Sequence, residues 1–194
     1  MARRHLVSAV LFLLSGMLSV ASRAASVAET VMAEMAALPS RSADFVEEKR
    51  LTSLTKPQVS SGRLIFVAGL PARLEQDTLV PHPERLIIEG NTVTLIEGDG
   101  PSHTLSLDEA PGLRALADTL RAALAGDLAT LRRIYSMEQQ GTAQAWRLLM
   151  VPNDLALRRV LARVTLDGAA ATLRQVDVQF ANGDEQRITI QSAR

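Results

Sequence analysis

Residues 85–97 read Arg85-Leu86-Ile87-Ile88-Glu89-Gly90-Asn91-Thr92-Val93-Thr94-Leu95-Ile96-Glu97. Two β-branched and aliphatic runs flank Gly90-Asn91, a two-residue turn signal, so the segment predicts an antiparallel hairpin. The same grammar continues on both sides. Towards the N-terminus, Pro81-His82-Pro83 is a break and Ala72 to Leu79 alternates, with Leu74 against Arg73 and Glu75. Gly69-Leu70-Pro71 is another break. Before it, Arg63 to Val67 is a β-branched and aromatic run opened by a turn at Ser60-Ser61-Gly62, and Phe45 to Arg50 alternates weakly. Towards the C-terminus, Gly98-Asp99-Gly100-Pro101 turns the chain into His103 to Leu107, with Leu105 and Leu107 on one face. Six short strands joined by short turns predict an antiparallel meander.

The period then changes. Asp108-Glu109-Ala110-Pro111 reads as a helix start, Leu113, Leu116, Leu120 and Leu124 follow at helical spacing, and Gly126 ends the run. Asp127 caps a second short helix carrying Leu128, Leu131 and Ile134 on one side. Each helix has an apolar stripe to lay on something. Strands resume over Met137 to Gln140, Ala145 to Val151, Val160 to Leu166, Leu173 to Phe180 and the stretch holding Ile188 and Ile190. Pro152-Asn153-Asp154 opens a helical turn through Arg159, and Asn182-Gly183 marks the last hairpin. At the other end, Ser26 and Glu29 have capping-box spacing, with Val27, Val31, Met35 and Leu38 on one helix face before Pro39-Ser40. The predicted class is mainly β with helices (α+β). A sheet this long must curl or split, and the few helices can only cover its open side.

The first 24 residues belong to a different grammar. Arg3 and Arg4 precede an apolar run from Leu6 to Val20, and Ser22-Arg23-Ala24 offers a small-x-small cleavage site. This is the layout of a secretory signal peptide, too short to span a bilayer. The expected division is a signal peptide over 1–24 and one domain over 25–194. The whole chain of 194 residues carries 21 basic and 21 acidic side chains, and without Arg3, Arg4 and Arg23 the balance is 18 to 21, net −3. Neutral to mildly acidic charge argues against nucleic acid as partner. The absence of Cys removes disulfides, thiolate metal sites, Cys nucleophiles and the lipid-bearing Cys of a lipoprotein, and three His leave little for a metal. No cofactor is expected.

The order of elements resembles the LolA-type outer-membrane lipoprotein carriers, particularly a divergent LolA-related branch. The likeness is carried by Phe45 with Glu47, by Ser61-Gly62-Arg63-Leu64-Ile65-Phe66, by Pro71-Ala72-Arg73-Leu74-Glu75 and by Glu89-Gly90-Asn91. It continues in Trp146-Arg147-Leu148-Leu149-Met150-Val151-Pro152, in Leu173 to Phe180 and in Asn182-Gly183-Asp184. What the resemblance implies is an unclosed antiparallel half-barrel with a helical lid over an apolar cavity. It implies a monomeric periplasmic shuttle that takes acylated cargo, a lipoprotein or lipid, from an inner-membrane donor towards an outer-membrane acceptor. The Arg that the main family carries directly before the third-strand Pro is Leu70 here.

A carrier needs a concave apolar wall and no catalytic group. The expected wall is Phe45, Leu64, Phe66, Leu74, Leu86, Ile88, Val93, Leu95, Leu149, Val151, Val164, Val176, Val178 and Phe180. The competing reading packs these residues into a dry core, and the parity of Arg63 to Val67 and of Ala145 to Val151 is ambiguous because both faces are apolar. Leu113, Leu116 and Leu120 form either a lid or a fixed core helix. Arg73 and Arg85 meet a head group or lid carbonyls, or else form surface ion pairs. His82 and His103 fall in loop-like contexts, and no nucleophile elbow, zinc-protease motif or phosphate loop is present. Two other functional classes stay open. One is a lipid-sensing regulatory module on the same fold; the other, less favoured, is a hydrolase.

Overall fold

The computed structural model describes residues 25–38 and 40–192; the expected signal peptide lies outside them. Helix α1 (Val27–Ala36) opens the described chain. Its capping box forms as the spacing predicts: the Glu29 amide donates to Ser26 Oγ at 3.2 Å and the Ser26 amide to the Glu29 carboxylate at 2.9 Å. Six strands follow: β1 (Ser40–Arg50), β2 (Gln58–Val67), β3 (Arg73–Val80), β4 (Glu84–Glu89), β5 (Thr92–Glu97) and β6 (Ser102–Ser106). A 3-10 turn over Leu107–Glu109 leads into α2 (Pro111–Ala125) and α3 (Leu128–Ile134). Then come β7 (Tyr135–Thr142), β8 (Ala145–Pro152), the single turn α4 (Leu155–Arg158), β9 (Leu161–Ala169), β10 (Thr172–Phe180) and β11 (Glu185–Ser192). Asp127 and Asp154 cap α3 and α4 as expected, accepting from the Thr130 and Leu157 amides at 2.9 and 2.8 Å.

The strands form one antiparallel sheet in the order β6-β5-β4-β3-β2-β1-β11-β10-β9-β8-β7. Every neighbour but one is consecutive in sequence. The exception joins the first strand to the last, through pairs such as Phe45↔Ile190 and Glu47↔Ile188. The two edges, β6 and β7, are consecutive in the chain but do not pair, so the sheet curves without closing. The connection between them has to cross the open side, and it does so as α2 and α3. The architecture is an unclosed half-barrel with a helical lid.

Two of the differences from the sequence reading involve polar residues. Strand β1 starts at Ser40, five residues before Phe45, because its concave-facing positions include Arg41, Glu47 and Lys49 as well as Ala43 and Phe45. Alternation read from hydrophobicity alone misses such a strand. Ser60-Ser61-Gly62 is strand, not turn. A register shift sits between Ser61 and Gly62, and a Cβ at Gly62 would fall 1.8 Å from the Asp77 carbonyl oxygen. Glycine is there for close approach of β3 at a bulge.

The concave face carries two packed clusters. The larger joins α1, α3 and the end of α2 to β1 and β7–β11 through residues such as Met32, Met35, Leu131, Trp146, Leu148, Met150 and Leu166. The smaller joins Phe66, Leu74, Ile88, Val93 and Leu107 to Ala117 of α2. Leu120 and Leu124 touch both.

Candidate functional site

Helix α2 bridges the two clusters, and the space beneath it is not filled. A cavity of about 370 Å³ lies there. Leu113, Leu116, Leu120 and Leu124 face it from the helix. Leu64, Leu74, Leu86, Ile88, Val176 and Phe180 face it from the sheet, with Leu173, Ile188 and Ile190. The burial of α2 is the reverse of a packed core helix. Its small residues Ala115, Ala117, Thr119, Ala122 and Ala123 are buried, whereas the four leucines are only half-buried. The largest apolar side chains on the helix therefore touch the clusters only at their margins and leave part of their surface to the cavity.

A second cavity, about 310 Å³, adjoins the first. The two share Leu64, Leu74, Leu124, Leu173 and Ile190 as lining. Together they make a passage under the C-terminal half of α2. The mouth on the second cavity's side is bounded by Leu38, Arg41, Phe66 and Gln191. The far end of the first cavity carries Glu47, Lys49, Gln76, Glu84 and Gln186. Glu47 is buried and satisfied: Ser60 Oγ donates to it at 3.0 Å, Gln186 Nε2 also donates, and Lys49 Nζ stands 3.1 Å away.

The lid is tied down along its length. Arg121 donates to the Gly90 carbonyl in the β4–β5 turn at 2.7 Å and to Asp118 at 2.5 Å. Arg114 donates to Asn91 Oδ1 at 2.6 Å and to Asp108. On its other side, Thr119 shares a hydrogen bond of 2.5 Å with the buried Tyr135 hydroxyl, whose pKa burial pushes up. Past its end, Gly126 holds a φ of +69° with its amide on the Ala122 and Ala123 carbonyls, the left-handed C-terminal cap that turns the chain into α3.

The expected wall residues fall into three groups. Leu64, Leu74, Leu86, Ile88, Val176 and Phe180 line the larger cavity, and Phe66 lines the smaller. Phe45, Val93, Leu95, Val164 and Val178 share the concave parity but line neither. Phe45, Val164 and Val178 are packed into the larger cluster and Val93 into the smaller, while Leu95 stands opposite Leu86 and His103 near the β6 edge. Leu149 and Val151 are corrections. In β8 the concave positions are Trp146, Leu148 and Met150, all buried, so Leu149 and Val151 lie on the convex face, Val151 exposed.

Arg73 and Arg85 are corrected in the same way. They stand on the convex face in a ladder of carboxylates, Arg73 2.7 Å from Glu75, and Arg85 2.6 Å from Asp77 and 3.2 Å from Glu75. The neighbouring carboxylates push both guanidinium pKa values up, and neither side chain reaches the lid. Leu70, in the family's arginine position, is fully exposed. The sequence reading passed over Leu173, Ile188 and Ile190 as wall, although Val176 pairs with Ile188. It also passed over Arg41, which no hydrophobic pattern marks. His82 and His103 are exposed, and no group of three or more potential metal ligands occurs among the described residues.

The family described as "Outer membrane lipoprotein carrier protein LolA-like" matches residues 20–194. The chain belongs to this LolA-like family. No curated protein sequence matches it. Among solved structures, the LolA-like chain is similar to MucB in complex with MucA(peri), at 14% identity and a TM-score of 0.41, covering 84% of this chain and 52% of that one. The Pseudomonas aeruginosa MucA/MucB complex aligns at 11% identity and a TM-score of 0.44, covering 86% and 56%. A LolA superfamily protein from Nitrosomonas europaea aligns at 8% identity and a TM-score of 0.41, covering 88% and 95%. The LolA-like chain spans about half the length of the two MucB-complex chains it matches.

Proposed function

We propose that this LolA-like protein carries acyl chains. It takes the chains of a lipoprotein or lipid into the passage beneath α2, shields them from water and moves its cargo through the periplasm towards the outer membrane. Residues 1–24 would act as the export signal. A membrane donor and a membrane acceptor would load and unload the carrier. The observation that carries this reading is the leucine stripe of α2, half-buried over a cavity of about 370 Å³ while its alanines are buried. A dry core offers no reason to aim the bulky side chains at empty space. An acyl chain supplies what they lack, at about 0.8 kcal/mol for each methylene removed from water. Cavities of about 300–1,000 Å³ are the usual size for small hydrophobic ligands. Nothing in this reading calls for a reacting group, so it predicts a binding protein and not an enzyme.

Lipid exchange between vesicles tests it. Donor vesicles carrying a fluorescent phospholipid are mixed with unlabelled acceptor vesicles and increasing amounts of the exported protein. A carrier accelerates transfer in proportion to its concentration. A sensing module binds the lipid without accelerating exchange, and failure to bind any lipid would reject both.

A further inference from the structure

The passage has unlike ends, and the inference concerns the mouth at Arg41. Arg41 stands opposite Phe66 in the β1–β2 register, so its side chain lies on the concave face and lines the smaller cavity. Its Nη2 donates to the Met35 carbonyl at the end of α1. Its Nε and Nη1 are buried and have no hydrogen-bond partner among the described residues. A guanidinium carries five N–H donors and cannot shed its charge, so two buried nitrogens without a protein acceptor are costly. Burial holds the Arg41 pKa below its ordinary value, with no acidic partner among the described residues to offset it. The arginines that form salt bridges among the described residues each have a carboxylate within 4 Å, and all but Arg121 stand on the surface. The cavity at Arg41 is lined by Leu38, Phe66 and the shared apolar residues, with Ser42, Thr172 and Gln191 as uncharged polar neighbours and no carboxylate among the described lining.

We infer that Arg41 is the head-group site of this carrier, and that the cargo is an amphiphile bearing an oxyanion, a carboxylate or phosphate, at the end of an acyl chain. The inference rests on the acyl-carrier reading and adds the chemistry and direction of the bound molecule. The oxyanion brings acceptors to Nε and Nη1, and the chain runs from Phe66 under Leu124 and Leu120 towards Glu47. Leu38 and Gln191, on the rim, turn aside to admit it. The reverse orientation sets the anion against Glu47 and Glu84, whose two negative charges Lys49 offsets only in part, so like charge disfavours it. The dimensions agree. Arg41 to Glu47 is six residues of strand, about 20 Å, and one leaflet's acyl chains occupy about half of a hydrocarbon core of roughly 30 Å.

The test displaces Nile red, a neutral probe, with dodecanol, lauric acid and dodecyl phosphate, which share a chain and differ in head group. Inorganic phosphate alone is the fourth ligand. Wild-type protein is expected to bind the two anionic amphiphiles about ten- to a hundredfold more tightly than dodecanol, the span of a charge-assisted hydrogen bond. A preference for one anion over the other separates a fatty-acid head group from a phospholipid one, and both support the site. Arg41→Met should abolish the preference, the two anionic amphiphiles losing about ten- to a hundredfold more affinity than dodecanol does. Arg41→Lys should keep part of it. Equal binding of all three amphiphiles by the wild type overturns the inference while leaving the carrier reading standing. Binding of none overturns both. Inorganic phosphate binding as tightly as dodecyl phosphate overturns the link between head group and chain. If Arg41 serves only to hold α1, Arg41→Met lowers the melting temperature and weakens all three amphiphiles alike, which also refutes it.

Discussion

Replacing Leu116 with tryptophan sets a lid over a cavity against a helix sealed onto a core. Leu116 lies on the stripe of α2 that faces the cavity of about 370 Å³ and is half-buried, so an indole at this position has space to enter. If about 50 Å² of additional apolar surface leaves water there, the variant gains about 1 kcal/mol at roughly 25 cal/mol per Å². In a filled core the same enlargement drives side chains off their rotamers and costs roughly 1–3 kcal/mol. The two outcomes thus lie about 2–4 kcal/mol apart. For a domain of this size each kcal/mol moves the melting temperature by about 2–4 °C, so calorimetry has roughly 4–16 °C with which to separate them. Binding moves the opposite way. If the indole occupies the room of about three methylenes, each worth about 0.8 kcal/mol, dodecanol affinity falls about fiftyfold. Leu148→Ala is the internal control: fully buried on β8, it should cost about 2–5 kcal/mol. A Leu116→Trp protein that melts several degrees lower and still binds dodecanol like the wild type would refute the cavity-facing assignment of α2.

Other outcomes follow from particular contacts. Arg121→Ala removes the bond to the Gly90 carbonyl that seats α2 on the β4–β5 turn. Amide exchange in α2 should accelerate while β8–β10 keep their protection, and equal acceleration everywhere would mean that the arginine supports the whole domain. Hydrogen bonds hold three carboxylates below their usual range: Glu29 through the Ser26 amide, Asp127 through Thr130 and Asp184 through the Thr52 amide. Lowered folded-state values mean stability that is present above about pH 4 and lost as pH falls through them. The double variant Asp127→Asn, Asp184→Asn should therefore melt with a shallower pH dependence between pH 5 and 2, and an unchanged slope would contradict this. His82→Ala, His103→Ala should bind dodecanol within about twofold of the wild type, since both rings are exposed. Loss of function in the folded double variant would revive the hydrolase reading.

The parts of this molecule that could be read from its sequence are those where one local rule decides. Gly90-Asn91 between two apolar runs could only be a hairpin, and the leucine spacing from Leu113 to Leu124 could only be a helix. Ser26, Asp127 and Asp154 announce their caps by side-chain chemistry within four residues. Failures occur where the decision is made by something distant. Leu149 looks no different from Leu148, yet Met137 and Val164, the neighbours of Met150, fix which of them turns inward. Val164, Val176 and Val178 share the inward parity and are all buried in the larger cluster, yet only Val176 also borders the cavity beneath α2, a distinction set by where the helix crosses and not by the strand's own pattern. Arg73 and Arg85 are single positive charges in the sequence, and only the pairing of β3 with β4 shows them across from Glu89 and Asp77. Arg41 and Glu47 break the alternation of β1 because they sit on the concave face at opposite ends of a passage. A rule that sends charge outward cannot find them.

The cavity itself follows from the path of the chain. Strands β1 to β6 run outward to one edge of the sheet, and β7 to β11 return from the other edge to pair with β1. Each half therefore builds its own apolar cluster. The only connection between the far edges is the segment from Leu107 to Ile134, which must cross the concave face. A helix crossing there can pack tightly against one half or the other, but its middle spans the gap. At the gap, Leu120 and Leu124 touch both clusters, Leu116 packs against the larger and Leu113 against the smaller, and all four border the cavity. The alanines that flank the stripe bring α2 close enough for Arg121 and Thr119 to fasten it on either side, and the leucines are left above the space between. Closing β6 onto β7 would remove both the edges and the need for the crossing, and with them the lid. An open sheet with its edges joined through the interior keeps a seam that a chain of methylenes can fill and vacate without unfolding either cluster.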